Sequence, residues 1–398
     1  MKVLINAVSA KLGGAATYVQ NLARSLEEQA EPRDEFVMVV PPERAEALAP
    51  AGKRVRVEVS RAAAGSYARR WWWEQVTLRG IVSREKPDVL FSSANFAMLS
   101  CPCPQALLVR IPLYFSREYL KHVLPGKPAA FRAETALRRW LVCRSAASAD
   151  CVVTPSAAMR DDLLQFTRIA EERIRVIPYG VPRARVVSGA QPEAPHAGGR
   201  LRLLWVSHYA DHKNLATLLR AVMLLRGRGM AVELRLTVEP PSGGEQRGQH
   251  TVMPVDEQRL LAGLGDAVRY LGVLNYEQVW RAYRDADVFV FPSLCESFGH
   301  PLVEAMGAGL PIVASEIPVH REICGEAAQY FPANDAEVLA ARLAALAGDA
   351  AARAEMARRG ALRVNSFLWE DHVSRLLALL RDLATPRGAR QALAARTA

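Results

Sequence analysis

Two acidic residues, Glu296 and Glu304, stand on either side of Gly299 and Pro301 in the stretch CESFGHPLVEAMGAGLP, residues 295–311. Pro301 fits the first turn of a helix, because the amide that proline lacks would have no partner there. The exposed amides at the beginning of such a helix favour a negatively charged or polar group. Carboxylates beside these amides suit a ligand that has hydroxyl groups and an anionic part. A nucleotide sugar has both.

The elements that would hold the two acids follow from the local pattern. Residues 287–293, DVFVFPS, form a continuous β-branched and aromatic run that predicts a buried strand. A loop with Glu296 follows, and then a helix that begins near Pro301 and carries Glu304 one turn inside, on the side that can reach back toward the loop. Gly309 lies where a left-handed C-terminal cap is expected. A structural alternative stays open here: Glu296 caps the helix and Glu304 lies on its solvated face.

Length and composition indicate a globular protein of two domains. At 398 residues the chain is longer than one ordinary core supports. With 50% hydrophobic and 23% charged residues it is not of the disordered class. No apolar run reaches the length of a membrane-spanning helix or of a signal sequence. We therefore expect a cytoplasmic protein, either in solution or peripheral on the inner face of the cytoplasmic membrane.

The cysteines and the net charge narrow the range of partners. The six cysteines show neither paired CxxC spacing nor clustering with histidine, so we expect buried free thiols and neither a zinc site nor a disulfide framework. A formal net charge of +10 suits nucleic acid, anionic lipid or a phosphorylated ligand. Because no helix-turn-helix, RNA-recognition or zinc-finger motif accompanies the charge, we expect no nucleic-acid partner.

The first half of the chain predicts a parallel sheet. Residues 2–8 form an apolar run, and a turn with Gly13 and Gly14 leads into a helix with apolar residues at helical spacing. Doubly wound sheets hold phosphates at such a turn, although a glycine pair is equally compatible with a plain tight turn. Strands that alternate with helices favour parallel pairing. The further apolar runs are Glu35–Val40, Val55–Val59, Asp88–Ser92, Ala106–Arg110, Cys151–Pro155 and Ile174–Ile177.

Two surfaces of the first half stand out by composition. Trp71, Trp72 and Trp73 are consecutive and cannot all face one core from a helix, so at least one is exposed or in an interface. Residues 117–144 mix lysines and arginines with apolar and aromatic residues, which predicts basic amphipathic helices. A solvated basic face and contact with an anionic membrane or a lipid acceptor are both compatible with this composition.

A second α/β pattern follows a linker in residues 183–199, which are rich in Pro, Gly and Ala. Asn275 and Gln278 resemble a capping box at the start of a helix. This helix precedes residues 295–311, which we call the acid stretch. Residues 239–253 predict a polar, glycine-rich loop, and the Ala- and Arg-rich C-terminal tail is expected to fray. The predicted strands are residues 201–207, 231–238 and 268–273.

The complete pattern resembles the GT-B glycosyltransferases, which are built from two Rossmann-like, doubly wound α/β domains with a cleft between them. The acid stretch resembles the signature of the retaining family 4 enzymes, E-x-F-G-x-P-x-x-E-A-M-A-x-G-x-P. Only Gly307 departs from this signature, which has alanine, another small residue, at that position. The matching residues are Glu296, Phe298, Gly299, Pro301, Glu304, Ala305, Met306, Gly309 and Pro311. Agreement at this many positions favours ligand binding over the structural alternative.

The resemblance covers most of the chain. The turn with Gly13 and Gly14 looks like the family's first glycine loop, and VIPYGV at residues 176–181 looks like its entry to the linker. FLWE at residues 367–370 is similar to the beginning of the last helix, which in this fold crosses back to the first domain. The resemblance implies an acceptor-side domain at residues 1–183, a linker at 184–200, a nucleotide-sugar domain at 201–365, the returning helix at 366–385 and a frayed tail at 386–398.

By this resemblance the second domain binds a GDP- or UDP-linked sugar. Glu304 would accept from the ribose hydroxyls and Glu296 from the hexose hydroxyls. The amides of Phe298 and Gly299 would lie against the sugar. Lys213 matches the family's phosphate-binding lysine. The reaction needs electrostatic stabilisation of the leaving diphosphate and of an oxocarbenium-like centre, and it requires neither a cofactor nor a divalent metal.

Three further positions depart from the family pattern. Ser207 and His208 stand where relatives have Gly and Arg, which makes His208 a weaker and pH-dependent phosphate partner. Many relatives also have a histidine in the first domain where this chain has Arg110. We expect Arg110 to face the cleft and to contact donor phosphate or acceptor, with a structural role as the alternative. A retaining enzyme needs no side-chain base if the departing phosphate takes the proton of the acceptor.

The predicted function is transfer of a hexose from a nucleotide diphosphate sugar to a glycan or lipid-linked glycan acceptor, with retention of configuration, in cell-surface polysaccharide assembly. One alternative is a nucleotide-sugar 2-epimerase of the same fold, which the shortage of histidines in the first domain disfavours. The other is a basic, membrane-peripheral protein without enzymatic activity. The sequence leaves the base, the sugar and the acceptor open.

Overall fold

The chain divides into two compact units. The computed structural model describes residues 1–10, 13–48, 52–61, 67–187, 199–240 and 253–385. The first unit consists of Met1–Phe115, Pro128–Pro178 and Glu370–Ala398, and the second of Ser116–Lys127 and Tyr179–Trp369. The tail 386–398, most of the predicted linker and most of the predicted loop 239–253 lie outside the described residues.

A seven-stranded parallel sheet forms the middle of the first unit, with the order β3-β2-β1-β4-β5-β6-β7. In β1, Leu4 lies opposite Val37 on one side and Leu90 on the other. The strand order reverses between β1 and β4, and doubly wound sheets bind ligands at the carboxyl edge of such a point. The strands are β1 Lys2–Asn6, β2 Glu35–Val40, β3 Val55–Val59, β4 Val89–Ser92, β5 Gln105–Leu108, β6 Cys151–Thr154 and β7 Ile174–Val176.

Helices connect these strands and cover the sheet. Two clusters of buried apolar side chains pack against it, one around Leu4 and Trp73 and one around Leu107 and Phe115. The strands are continuous apolar runs in the sequence because a parallel sheet is buried on both faces. The helices are α1 Gly13–Gln29, α2 Ala45–Leu48, α3 Tyr67–Gln75, α4 Thr77–Glu85, α5 Ala129–Ser148 and α6 Ala157–Leu164.

The second unit contains a six-stranded parallel sheet with the order β10-β9-β8-β11-β12-β13. Its order reverses between β8 and β11, so the loops after these two strands meet at the carboxyl edge, where doubly wound sheets bind ligands. The strands are β8 Leu201–Trp205, β9 Val232–Leu236, β10 Val268–Tyr270, β11 Val288–Phe291, β12 Ile312–Ser315 and β13 Ala328–Phe331. The helices are α7 Leu215–Gly227, α8 Val255–Leu264, α9 Tyr276–Arg284, α10 His300–Gly307, α11 Pro318–Cys324, α12 Ala336–Gly348 and α13 Ala350–Arg363.

The last helix, α14 Trp369–Ala384, confirms the predicted return of the chain. Its first residue belongs to the second unit, and the rest belongs to the first. In the first unit His372 Nδ1 lies 2.9 Å from Pro178 O, and Arg381 pairs with Asp34 at 2.8 Å. The two Rossmann-like sheets and this helix are those of the predicted GT-B fold.

The unusual surfaces of the first unit lie on α3 and α5. On α3 Trp73 is fully buried and Trp72 is 56% exposed, as expected from their adjacency. On α5 Leu137 and Trp140 are 56% and 57% exposed, and the same helix carries Arg132, Arg138, Arg139 and Arg144. No helix in the described part of the chain is long and apolar enough to cross a membrane. All six cysteines are free thiols, three of them only partly buried.

Candidate functional site

The two loops at the reversal point of the second sheet bring together Lys213 and Glu296. Strands β8 and β11 are paired, with Leu204 opposite Phe289, so the chain leaves both strands at the same edge. The Lys213 ammonium lies 2.5 Å from Glu296 Oε1, and the two side chains are 11% and 12% exposed. The structure therefore places the predicted phosphate-binding lysine against the predicted sugar-binding acid.

A tight turn before α7 positions Lys213. Residues Asp211–Lys213 form one 3-10 turn, and Asn214 follows in the left-handed region with φ 53°. The Asn214 amide donates to Pro292 O at 3.1 Å and to Ala333 O at 2.6 Å. Asn214 thus links the turn after β8 to the segments that follow β11 and β13. Sequence reasoning did not single out Asn214, although asparagine tolerates this backbone conformation better than most residues.

The loop that carries Glu296, residues 292–299, is the acid loop, and its backbone is hydrogen-bonded to the same turn. Leu294 N donates to His212 O at 2.8 Å. Helix α10 begins at His300 with Pro301 in its first turn, and no side chain caps it. The structural alternative for Glu296 is therefore wrong, because its carboxylate pairs with Lys213 instead of capping the helix. Burial alone would raise the pKa of Glu296, but the Lys213 ammonium holds that pKa below its usual value.

Phe298 and Gly299 shape the end of the acid loop. Phe298 is buried, with its ring 5.4 Å from that of Tyr179. Gly299 has φ 85°, and a Cβ at this position would come within 3.0 Å of the Leu302 side chain. This position therefore favours glycine on two grounds, backbone conformation and space. At the other end of α10, Gly309 has φ 72°, which confirms the predicted left-handed glycine.

Glu304 has a different environment from Glu296. It is half-buried on α10, and Tyr283 Oη donates to its Oε2 at 3.0 Å. Burial raises the pKa of Glu304 to about 7, and the hydrogen bond from Tyr283 only partly opposes this. The structural alternative for Glu304 is wrong as well, since its carboxylate does not lie on a solvated face. Tyr283, on the capped helix α9, was not found by sequence reasoning.

Three histidines surround the Lys213–Glu296 pair. Burial lowers the pKa of His208, and it lowers the pKa of His212 to about 3 and of His320 to about 4. All three imidazoles are therefore neutral near pH 7, and His208 is a hydrogen-bonding group there and not a cation. Beside it, Ser207 N donates to Thr237 Oγ1 at 3.0 Å.

His320 is a fully buried residue that sequence reasoning missed. Its Nδ1 lies 2.9 Å from Ser315 O, so Nδ1 is the protonated nitrogen. Its Nε2 has no hydrogen-bond partner among the described residues. The Ser315 hydroxyl donates to Ser293 O at 2.5 Å, which fixes the beginning of the acid loop. No local signal distinguishes this histidine, because its position follows from the packing of α11.

The candidate residues of the first unit follow two strands of its sheet, β1 and β5. Gly13 and Gly14 are the first residues of α1 and not part of the preceding loop. Arg110 follows β5, its amide donates to Asn95 Oδ1 at 2.9 Å, and its guanidinium lies 5.5 Å from the centre of the Tyr18 ring. Tyr18 is on α1, so Arg110 packs against the helix that begins with the two glycines.

The acidic pair Asp285 and Asp287 has the spacing of an Asp-x-Asp metal motif but a different role. Asp287 accepts from the Arg202 guanidinium at 2.7 Å and 3.0 Å. It stands just before β11, at the amino end of the strand, whereas doubly wound sheets bind ligands at the carboxyl ends. Within the described ranges, no group of three or more His, Cys, Asp or Glu residues is arranged to hold a metal ion.

Two family models match the chain, and the boundary between their matches lies in the predicted linker. The model described as Glycosyltransferase Family 4 matches residues 12–185, which include Gly13, Gly14 and Arg110. The model described as Glycosyl transferases group 1 matches residues 190–363, which include Lys213 and the acid stretch.

Curated relatives match parts of the chain. It is 35% identical over 136 residues to the phosphatidyl-myo-inositol mannosyltransferase of Mycobacterium leprae, a match that covers 33% of this chain and 36% of the relative. It is 30% identical over 283 residues to D-inositol 3-phosphate glycosyltransferase 1 of Catenulispora acidiphila, covering 65% of this chain and 63% of the relative. The chain thus spans less than two thirds of the length of these relatives.

Solved structures resemble the chain over nearly its full length. Sucrose-phosphate synthase from Thermosynechococcus elongatus has a TM-score of 0.74 at 19% identity, covering 96% of this chain and 99% of that one. Anabaena HepE, solved in complex with UDP and glucose, has a TM-score of 0.69 at 17% identity, covering 95% and 98%. At these identities the likeness establishes the fold.

Proposed function

Because the chain belongs to the family 4 GT-B glycosyltransferases, we propose that it transfers a hexose from a nucleotide diphosphate sugar to a glycan or lipid-linked glycan acceptor, with retention of configuration. The observation that carries this proposal is the Lys213–Glu296 pair at the carboxyl edge of the second sheet. A lysine and a carboxylate in contact offer one cation for a phosphate and one acceptor for sugar hydroxyls. We also propose a role in cell-surface polysaccharide assembly, in keeping with this acceptor class.

In this proposal each of the two carboxylates binds a different part of the donor. Glu296 keeps a low pKa and stays ionised beside Lys213, which suits hydrogen bonds from hexose hydroxyls. Glu304, with its pKa raised to about 7, has one hydrogen bond from Tyr283 and would gain further ones from the ribose hydroxyls. The amides of Phe298 and Gly299 lie between these acids in the chain and would contact the sugar.

The reaction is electrostatic in this proposal. The bond between the anomeric carbon and the diphosphate oxygen breaks, and the acceptor oxygen bonds to the same face of the sugar. The departing phosphate takes the acceptor proton, so no side-chain base is needed. Lys213 would stabilise the charge that develops on the leaving group, and no metal or cofactor is part of the proposal. Arg110 would contact donor phosphate or acceptor.

Two relatives bear on the choice of donor. One is named a mannosyltransferase, and the solved structure of HepE contains UDP and glucose. Both a GDP-linked and a UDP-linked hexose therefore belong in the assay.

The test is sugar transfer by the parent protein and by Glu296→Ala and Lys213→Ala, with each donor and a panel of glycan and polyprenyl-linked acceptors. Both substitutions should abolish transfer while the circular dichroism spectrum stays that of the parent. Arg228→Ala is the matched control, because it breaks an ion pair with Glu337 on the exposed surface. Full activity of both site variants would refute the proposal. Formation of an epimer from donor alone would replace it by an isomerase.

We also propose that α5 contacts an anionic membrane. Leu137 and Trp140 project from a helix with four arginines and one glutamate, and a basic helix of this kind can insert apolar side chains while its exposed cations bind lipid headgroups. Co-sedimentation with phosphatidylglycerol vesicles should be lost in a Leu137→Ser, Trp140→Ser variant. It should persist in Trp72→Ser, which removes an exposed tryptophan from another helix. Equal binding of all three proteins would refute this contact.

A further inference from the structure

The segment Ser116–Lys127 belongs to the second unit, although the residues before and after it belong to the first. It contains a five-residue π-helical turn, Tyr119–Val123. Tyr119 is buried, and its ring lies edge-on to the His212 ring with 6.3 Å between the centroids. At the other end of the segment, the Lys127 ammonium forms an ion pair with the Asp211 carboxylate. The segment is thus fixed at both ends to the turn that presents Lys213.

This turn has little positive charge for a diphosphate. Its lysine, Lys213, already pairs with Glu296. His212 in the turn and His208 just before it are neutral because burial lowers their pKa. Asp211 adds a negative charge at the beginning of the same turn. A nucleoside diphosphate carries more than one negative charge, so a second cation would strengthen its binding.

We propose that Lys127 is this second cation: it pairs with Asp211 in the absence of donor and exchanges to a donor phosphate oxygen when the donor binds. The inference rests on the proposed donor-binding function of the turn. A carboxylate oxygen and a phosphate oxygen are both strong, charge-assisted acceptors, so the exchange replaces one good partner by another. The Lys127 and Asp211 side chains are 28% and 24% exposed, which leaves the ammonium room to move.

Lysine is suited to such an exchange. Its ammonium is a point charge on a flexible stem, so it can leave one acceptor for another without a fixed planar geometry. The anchoring of Tyr119 against His212 keeps the segment on the turn while the ammonium moves. Lys127 would thereby supply the charge that His208 does not supply.

A simpler role for Lys127 gives a different result in one experiment. If Lys127 only neutralises Asp211, then Lys127→Ala weakens diphosphate binding solely because an unpaired carboxylate remains near the phosphates. Replacing Asp211 with asparagine removes that carboxylate. The informative measurement is therefore the effect of Lys127→Ala in the Asp211→Asn background, where a neutralising lysine has nothing left to neutralise.

The experiment is calorimetric titration of the full chain with UDP and with GDP at low ionic strength. In the Asp211→Asn background, Lys127→Ala should weaken binding of the nucleotide that the parent prefers by about tenfold, as expected for a hydrogen bond to a charged group. Lys121→Ala, which removes an exposed lysine from the same segment, should weaken it less than about twofold. Lys127→Arg keeps the charge and should bind within about threefold of its background.

Four results would overturn the inference. The first is an equal effect of Lys127→Ala and Lys121→Ala in the Asp211→Asn background. The second is a loss in Lys127→Arg as large as in Lys127→Ala, which would indicate a disturbed segment and not a missing charge. The third is a parent protein that binds neither UDP nor GDP, which refutes the donor function itself. The fourth is binding that is weakened by Lys213→Ala but not by Lys127→Ala, which would refute only this inference.

Discussion

Replacing Glu304 with glutamine should stabilise the protein above neutral pH and weaken donor binding. Glu304 accepts one hydrogen bond, from Tyr283, and forms no ion pair with any cation among the described residues. Burial raises the pKa of Glu304 from 4.5 to about 7. The ionised carboxylate is therefore a destabilising group that the fold retains, and under the proposed function the ribose hydroxyls would compensate it.

The sign and size of the effect follow from the two pKa values. The folded state binds the Glu304 proton more tightly than the unfolded state, so this group leaves stability unchanged below pH 4.5. As the pH rises from there toward the folded pKa, stability is lost, and the full loss is present above it. A shift of this size corresponds to about 3 kcal/mol. Because the side chain is half-buried and water reaches part of it, we expect about 2 kcal/mol. Glutamine keeps an acceptor for Tyr283 without the charge.

The assay is urea denaturation of the parent and of Glu304→Gln at about pH 4 and at about pH 8, where the loss of stability from ionised Glu304 is nearly absent and nearly complete. The variant should gain about 2 kcal/mol more at the higher pH than at the lower. Glu337→Gln on the exposed surface is the control and should show no such difference. An equal gain at both pH values, or a loss of stability at the higher one, would show that burial of the carboxylate is not the cause.

Three further predictions concern single residues. Arg110→Ala should lower kcat/KM for transfer by about tenfold while the fold is kept, since a charged contact is lost; turnover equal to that of the parent would support a purely structural role beside Tyr18. Asn214→Ala should lower the free energy of unfolding by about 2–4 kcal/mol, because two backbone carbonyls lose their donor. Asn214→Gly loses the same donor but not the left-handed backbone, and thermal melting of the two variants should separate these contributions. Gly180→Ala should destabilise by about 2 kcal/mol or more, since a Cβ there would overlap the backbone of Phe367 and Leu368; an unchanged melting temperature would contradict the close packing.

The sequence by itself determined the elements and the class of fold. Short β-branched runs such as residues 288–291 form strands because a parallel sheet buries both faces. Such a run can be recognised from a few consecutive residues, without knowledge of the rest of the fold. The capping box of Asn275 and Gln278 is present as predicted, since both partners lie in one helical turn. Pro301 and Gly309 lie at the ends of α10 for reasons of backbone conformation alone.

Only the tertiary structure decided which groups meet. The strand order puts the loops after β8 and β11 side by side, and this brings Lys213 against Glu296 across more than eighty residues of chain. The fold also joins residues 176–181 and 367–370, which the family resemblance had identified separately. Val181 pairs with Leu368 in a parallel bridge between them. Contacts of this range leave no periodic signal in the sequence.

Burial is the other quantity that the sequence did not contain. It makes His208, His212 and His320 neutral near pH 7. It also raises the pKa of Glu304 to about 7, while Lys213 holds the pKa of Glu296 below its usual value. The free energy of a charge depends on the solvent and the partners around it, and these are known only once the chain has folded. The two glutamates of the acid stretch are of one type in the sequence, and their surroundings in the fold make them chemically different.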